Sequence, residues 1–222
     1  MHGLQHQISV RRAGTELILL PCKMVWWPDG RTLFAADTHF GKASSFRQAG
    51  IPVPAGTTAT MLDTLSTQIK LFQPRELVIL GDFVHSSRSA QEDFESLLLA
   101  WRASHQQLLV TLIKGNHDRR TADFYENLSI AFRKERQVAC GPFTLCHSPQ
   151  DINPTAFNLC GHLHPGYALP QLGLTCAPCF WLAADTLILP AFGVFTGLAR
   201  VALEASQSAI LIHQQMLLQV DG

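Results

Sequence analysis

The chain has 222 residues, of which 47% are hydrophobic and 15% charged, and its 17 Lys+Arg balance 17 Asp+Glu. This length and apolar content exclude a disordered chain, a collagen and a coiled coil, and they call for a sizeable α/β core. Zero formal charge excludes a protein that coats nucleic acid through a general basic field, so any nucleic-acid role must rest on a local site.

Arg11 and Arg12 precede an apolar patch, but Glu16 interrupts it and residues 17–20 are too short for a signal sequence, so a cytoplasmic protein is expected. No run reaches the roughly 18 apolar residues of a membrane span. Residues 16–20 and 31–36 read as strands, separated by the turn Pro28-Asp29-Gly30. Over 57–72, Met61, Leu65, Ile69 and Phe72 share one helical face, and Pro74 marks the stop. Residues 77–80 form a short apolar strand. Ser89 and Glu92 have capping-box spacing ahead of a helix striped by Phe94, Leu97, Leu98 and Trp101. Residues 108–113 read as a further strand.

Beyond Cys140 the texture changes to short strands at 143–146, 157–160, 180–183, 187–189 and 209–212, punctuated by Gly and Pro. The order is βαβα feeding a β-rich second half, within one domain spanning 1–222. Of the six cysteines, Cys176 and Cys179 form one CxxC with no second pair at zinc-ribbon spacing, so buried structural thiols are expected.

The informative polar clusters each follow a predicted strand: Asp37-Thr38-His39, Gly81-Asp82-Phe83-Val84-His85, Gly115-Asn116-His117-Asp118, His147, and Gly161-His162-Leu163-His164. In open α/β sheets ligands bind beyond the carboxyl ends of strands, so these loops can converge. Asp37, His39, Asp82, Asn116, His147, His162 and His164 offer oxygen and imidazole donors without a thiolate, a set suited to Mn²⁺, Fe²⁺ or Zn²⁺. Seven such donors suit two ions bridged by a carboxylate, for which Asp82 is the natural candidate. Period-2 strand geometry would put both donors of Asp-x-His and of His-x-His on one side. The glycines before Asp82, Asn116 and His162 allow tight turns and close approach to the ions.

An isolated Asp-x-His carries little information, and a lone His147 in a strand is an ordinary core residue. Gly-Asn-His-Asp arises by chance in on the order of one chain in a thousand of this length. In series with Gly-Asp-x-x-His before it and Gly-His-x-His after it, the pattern is specific. This ordered set resembles the calcineurin-like metallophosphoesterase superfamily. Three further stretches are similar to its bacterial ligase-associated DNA-damage-response phosphoesterases, of the PdeM type. They are His39-Phe40-Gly41-Lys42-Ala43 through Gly50-Ile51-Pro52-Val53-Pro54, Pro178-Cys179-Phe180-Trp181, and Leu189-Pro190-Ala191-Phe192-Gly193 with Phe195-Thr196-Gly197.

The resemblance implies a four-layer αββα sandwich with two central mixed β-sheets and a dinuclear site. It implies Asp37, His39, Asp82 and His164 on one metal, with Asp82, Asn116, His147 and His162 on the other. It further implies a partnership with an ATP-dependent DNA ligase, an exonuclease and a helicase. The expected activity is a phosphodiesterase, a DNA-repair nuclease dependent on two divalent ions, with Mn²⁺ as first choice and a hydroxide between the ions attacking phosphorus. His117 would protonate the leaving group with Asp118 orienting its imidazole, and His85 would face a phosphate oxygen. Lys42, Arg47, Arg88, Arg119 and Arg120 would form a local basic rim for DNA.

The rival expectations are a metallophosphatase or pyrophosphatase acting on a small-molecule or nucleotide phosphoester, and a non-enzymatic scaffold on the same fold. A scaffold would be expected to have lost ligands, and here none of the motif is missing. A lipid-pyrophosphate enzyme would be expected to carry an amphipathic insert, and the sequence shows none.

Overall fold

The computed structural model describes residues 4–85 and 91–222. The expected cap Ser89, with the side chain of Glu92, and the rim residue Arg88 lie outside the described residues.

The first sheet begins as an antiparallel meander of β1 (Ile8–Arg12), β2 (Thr15–Leu20), β3 (Met24–Trp27) and β4 (Thr32–Ala35). It then adds β5 (Glu76–Leu80), β6 (Leu109–Ile113) and β7 (Ile130–Arg133) in parallel, in sequence order. Parallel neighbours need crossover connections. Here α1 (Lys42–Gln48) and α2 (Thr57–Phe72) precede β5, α3 (Gln91–Ser104) precedes β6, and α4 (Ala122–Asn127) precedes β7. Helix α2 buries the face read from the sequence and stops at Gln73, left-handed at φ 48°, ahead of Pro74.

The second sheet comprises β8 (Val138–Cys140), β9 (Phe143–Leu145), β10 (Phe157–Cys160), β11 (Pro165–Leu169), β12 (Leu174–Leu182), β13 (Thr186–Ile188), β14 (Ala199–Arg200), β15 (Ser208–His213) and β16 (Met216–Asp221). Its order is β14-β11-β12-β13-β10-β9-β8, with β15 paired to β12 and β16 to β15. Strands β9, β10 and β13 are mutually parallel in a sheet that is otherwise mostly antiparallel.

Period-2 alternation divides the core. Leu33, Ala35, Leu77, Ile79, Val110 and Leu112 face the helices and meet Met61, Leu65, Phe94, Leu98 and Trp101. Phe34, Val78, Leu80 and Ile113 point the other way, into a layer shared with Phe143, Leu145, Phe157, Leu159, Phe180 and Leu187 of the second sheet. The two mixed sheets therefore pack face to face with helices outside the first, the sandwich expected. The outer face of the second sheet is covered by irregular chain, with Val201 and Leu203 over Cys179 and Leu211, and Ile152 and Leu163 over Cys146 and Cys160. The four described α-helices all precede β7. No described helix is long and apolar enough to cross a membrane.

Pro28-Asp29-Gly30 joins β3 to β4, not the strands at 16–20 and 31–36 directly. All four residues of β3 are buried, so it carries no alternation to betray it. The predicted strand at 180–183 is the end of the nine-residue β12, whose first half holds Pro178 and exposed residues. Cys146, Cys160 and Cys179 are buried as expected, and Cys22 and Cys140 half-buried, whereas Cys176 is exposed. Three residues apart on one strand, Cys176 and Cys179 point to opposite faces.

Candidate metal centre

Parallel strands deliver the polar clusters to one edge. Asp37 follows β4, Asp82 follows β5, Asn116 follows β6, His147 follows β9, and His162 and His164 follow β10. Backbone bonds continue beyond the strands: Asp37 N–H donates to the Gly81 carbonyl (3.1 Å), His39 N–H to that of Asp82 (2.8 Å), and Gly161 N–H to that of His147 (3.0 Å). The two sheets are stitched together here. Ala36 pairs in parallel with Ala191, Phe192 N–H donates to the Ala36 carbonyl (2.8 Å), and Gly193 N–H donates to the Asp37 carbonyl (3.1 Å).

Asp37 (φ 51°), His39 (46°), Asp82 (51°), His162 (71°) and His164 (50°) all adopt the left-handed conformation. The expectation that an extended pleat aligns the donors of Asp-x-His and His-x-His is therefore corrected. Paired left-handed residues break the pleat at the strand ends and bring the donors together there. Each such residue costs on the order of 1–3 kcal/mol, which the surrounding structure must supply. The glycines have a related task. A Cβ on Gly81 would collide with the imidazole of His147, on Gly115 with Asp82, and on Gly161 with the carboxylate of Asp37. Of the three, only Gly81 has positive φ (83°), so close approach explains the other two.

The donors form two clusters, Asp37 with His39 and His164, and Asp82 with His147 and His162, the donor atoms in each lying within 4.8 Å of one another. Asp82 spans them, with Oδ2 3.9 Å from His39 Nε2 and Oδ1 3.7 Å from His147 Nε2. Asn116 joins the second cluster, its Oδ1 3.0 Å from His147 Nε2, and His162 Nδ1 lies 3.0 Å from the same nitrogen.

These residues fit divalent metal. His147 Nδ1 donates to the Leu80 carbonyl (2.9 Å) and His164 Nδ1 to that of Gly197 (3.2 Å), so each Nε2 carries a lone pair turned inward. Asp37 Oδ1, His39 Nε2 and His164 Nε2 are buried with no hydrogen-bond partner among the described residues. Asp37 Oδ1 and His164 Nε2 face each other at 3.5 Å, two acceptors with no proton between them. Burial, the largest cause, pushes the His39 pKa down to about 3 and also lowers those of His85 and His162, so these rings stay neutral, and His39 and His162 can donate to a metal.

Asp118 has another task than orienting the His117 imidazole. It is buried, Oδ2 accepting from the N–H groups of Asp82 and Gly115 (both 2.8 Å) and Oδ1 from that of Phe83 (2.8 Å). Its carboxylate ties the Asp82 loop to the Asn116 loop. Burial raises its pKa to about 6, against the lowering effect of those backbone donors.

His117 stands at the mouth, 44% exposed in its side chain, with Nε2 4.0 Å from Asp82 Oδ2 and its N–H bonded to Asp82 Oδ1 (2.9 Å). The His85 ring lies 6.3 Å from that of His39 and 6.5 Å from that of His117. Lys42 feels both Asp82 and Asp37 and, with burial, lowers the pKa of His85. The rest of the expected basic rim is partly committed elsewhere. Arg47 bonds the Pro54 carbonyl and Ser44, and Arg120 pairs with Glu95 (2.8 Å) over the Phe94 and Phe124 rings. Arg119 is exposed and its Nε donates to the Asn116 carbonyl (3.4 Å). Lys114 and Lys134, beside the second cluster, escaped the sequence reading. The signal was present, since Lys114 directly precedes Gly115 and Lys134 comes just after the alternating Ile130-Ala131-Phe132.

A model of the calcineurin-like phosphoesterase family matches residues 30–166. Among solved structures, the nuclease MPE of Pseudomonas putida is 32% identical with a TM-score of 0.83, covering 96% of this chain and 100% of its own. Yfce, a phosphoesterase from E. coli, is 13% identical with a TM-score of 0.45, over 86% of this chain and 98% of its own. No curated protein matches the chain.

Asp118→Asn would set an amide N–H₂ against backbone donors. It is expected to lower stability by about 2–3 kcal/mol in urea unfolding of the metal-free protein and to weaken metal uptake. Unchanged stability and uptake would remove its role as the tie between loops.

Proposed function

The chain belongs to the calcineurin-like phosphoesterase family and is a metal-dependent phosphoesterase, and from that premise we propose that it is a two-metal phosphodiesterase acting on DNA. The observation that carries this reading is the likeness, over nearly the whole chain, to a protein described as a nuclease. The continuous apolar layer between the sheets supports 1–222 acting as one domain. A cytoplasmic setting beside an ATP-dependent DNA ligase, an exonuclease and a helicase belongs to the same reading and rests on the sequence resemblance.

Asp37, His39, Asp82 and His164 would hold one divalent ion, and Asp82, Asn116, His147 and His162 the other. One Asp82 oxygen turned toward each cluster supports its bridging place. When bound, such ions activate a water and neutralise charge on the phosphoryl group. Oxygen and imidazole donors favour Mn²⁺, with Fe²⁺ or Zn²⁺ compatible. His117, at the solvent side of Asp82, donates the proton that the leaving oxygen needs. His85 and Lys42 meet the non-bridging oxygens, their positions around His39 and the carboxylates supporting that role. Asp118 holds the loops and touches no substrate.

Three outcomes test this reading. Asp82→Ala should lose both ions together in metal analysis after Mn²⁺ loading, where the parent approaches two per chain. Retention of both ions would end its bridging role. His117→Ala should keep its metal and lose roughly 10²–10⁴-fold in turnover on alkyl or DNA diesters, with a smaller loss on an aryl ester whose leaving group needs little protonation. An equal loss on both would argue against proton donation. Across aryl diester, aryl monoester and labelled DNA, with Mn²⁺ at low salt, diesters and DNA should be cleaved with little sequence preference. Rapid monoester hydrolysis with no DNA cut or bound would make the protein a small-molecule phosphatase, the reading its neutral net charge favours.

A further inference from the structure

Resting on the phosphodiesterase reading, we propose that a cleft beside the second cluster seats the substrate strand beyond the scissile phosphate. Lys114 and Lys134 would be the groups that meet the next backbone phosphate. Strands β6 and β7 are parallel neighbours, so Lys114 and Lys134 emerge side by side at the edge that carries the donors, with Lys114 N–H bonded to the Arg133 carbonyl (2.8 Å). The cleft has a volume of about 380 Å³, within the usual span of ligand sites. Asn116, His147 and His162 form its inner wall, so it opens directly from the second cluster.

The chemistry of the lining selects the occupant. Every side chain in it is polar or charged, with Ser148 and Gln150 adding neutral hydrogen-bonding groups to the two lysines. With no aliphatic side chain to bury an acyl chain, the cleft suits a hydrated sugar–phosphate backbone. Arg136 is paired with Asp151 (3.2 Å), which cancels those two charges. Lys114 and Lys134 then outweigh Glu135, leaving an anion-attracting pair on an otherwise neutral protein. A phosphate held there lies one step along a strand whose scissile phosphate sits at the metal clusters, whereas a small aryl diester does not extend so far.

The test compares the parent with the double variant Lys114→Ala/Lys134→Ala. Both are Mn²⁺-loaded and assayed on bis(p-nitrophenyl) phosphate and on a single-stranded oligonucleotide across a salt series. Both lysines are exposed, so folding should be retained. The variant should keep aryl-diester turnover within about twofold. Its KM for the oligonucleotide should rise roughly tenfold or more with kcat little changed, and the slope of log KM against log salt should flatten by about 0.7 for each phosphate that is no longer neutralised. Lys114→Arg/Lys134→Arg should restore the parent behaviour. An unchanged oligonucleotide KM and salt slope, or an equal loss on the aryl diester, would overturn the cleft as a strand site. If the parent hydrolyses the aryl diester but neither cuts nor binds the oligonucleotide, the DNA reading itself falls and the cleft assignment with it.

Discussion

Electron-rich donors crowded around two small volumes repel one another, and most of this molecule's architecture serves to hold them there. Asp37, Asp82, Asn116 and four imidazoles converge with lone pairs turned inward, five of the seven residues in a left-handed backbone conformation. Such an arrangement persists only where its surroundings over-determine it. Two buried layers fix the strands, the ladder continues past their ends, and Asp118 gathers three N–H groups from two loops. A divalent ion bound between such donors relieves the repulsion, so metal affinity and folding stability are linked.

Burial acts on the protons as well as on the geometry. An imidazole must be neutral to ligate, and removal from water disfavours its cation. His39 and His162 are shifted that way before any ion arrives, while the carbonyls of Leu80 and Gly197 settle which nitrogens of His147 and His164 carry hydrogen. The site is thus prepared in both position and protonation.

The donors were legible in the sequence because each sits directly after an apolar strand, where a short polar motif stands out against its neighbours. The two sheets were legible in outline for the same reason. What stayed hidden depends on partners distant in the chain. Strand β3 is buried on both faces and shows no alternation, and β11 has no strong period of its own. The work of Asp118 is invisible because its partners are backbone groups, two of them more than thirty residues away. The purpose of Gly115 and Gly161 lies in an aspartate of another loop, Asp82 or Asp37, which spacing along the chain cannot reveal. The basic rim failed in part because a charge in a sequence carries no record of its counterion, as Arg120 and Glu95 show.

The stitch at residues 191–193 has a mechanical meaning. Phe192 and Gly193 bind the first sheet beside Asp37 itself, and a Cβ on Gly193 would press on the backbone of Asp37 and Thr38. Parting the two sheets to admit a substrate would first break the bonds that support Asp37, a candidate metal donor. The centre therefore works as an anvil, not as a jaw. Whatever is cleaved must be laid onto it from outside, and the fragments leave by lifting off rather than by waiting for domains to open.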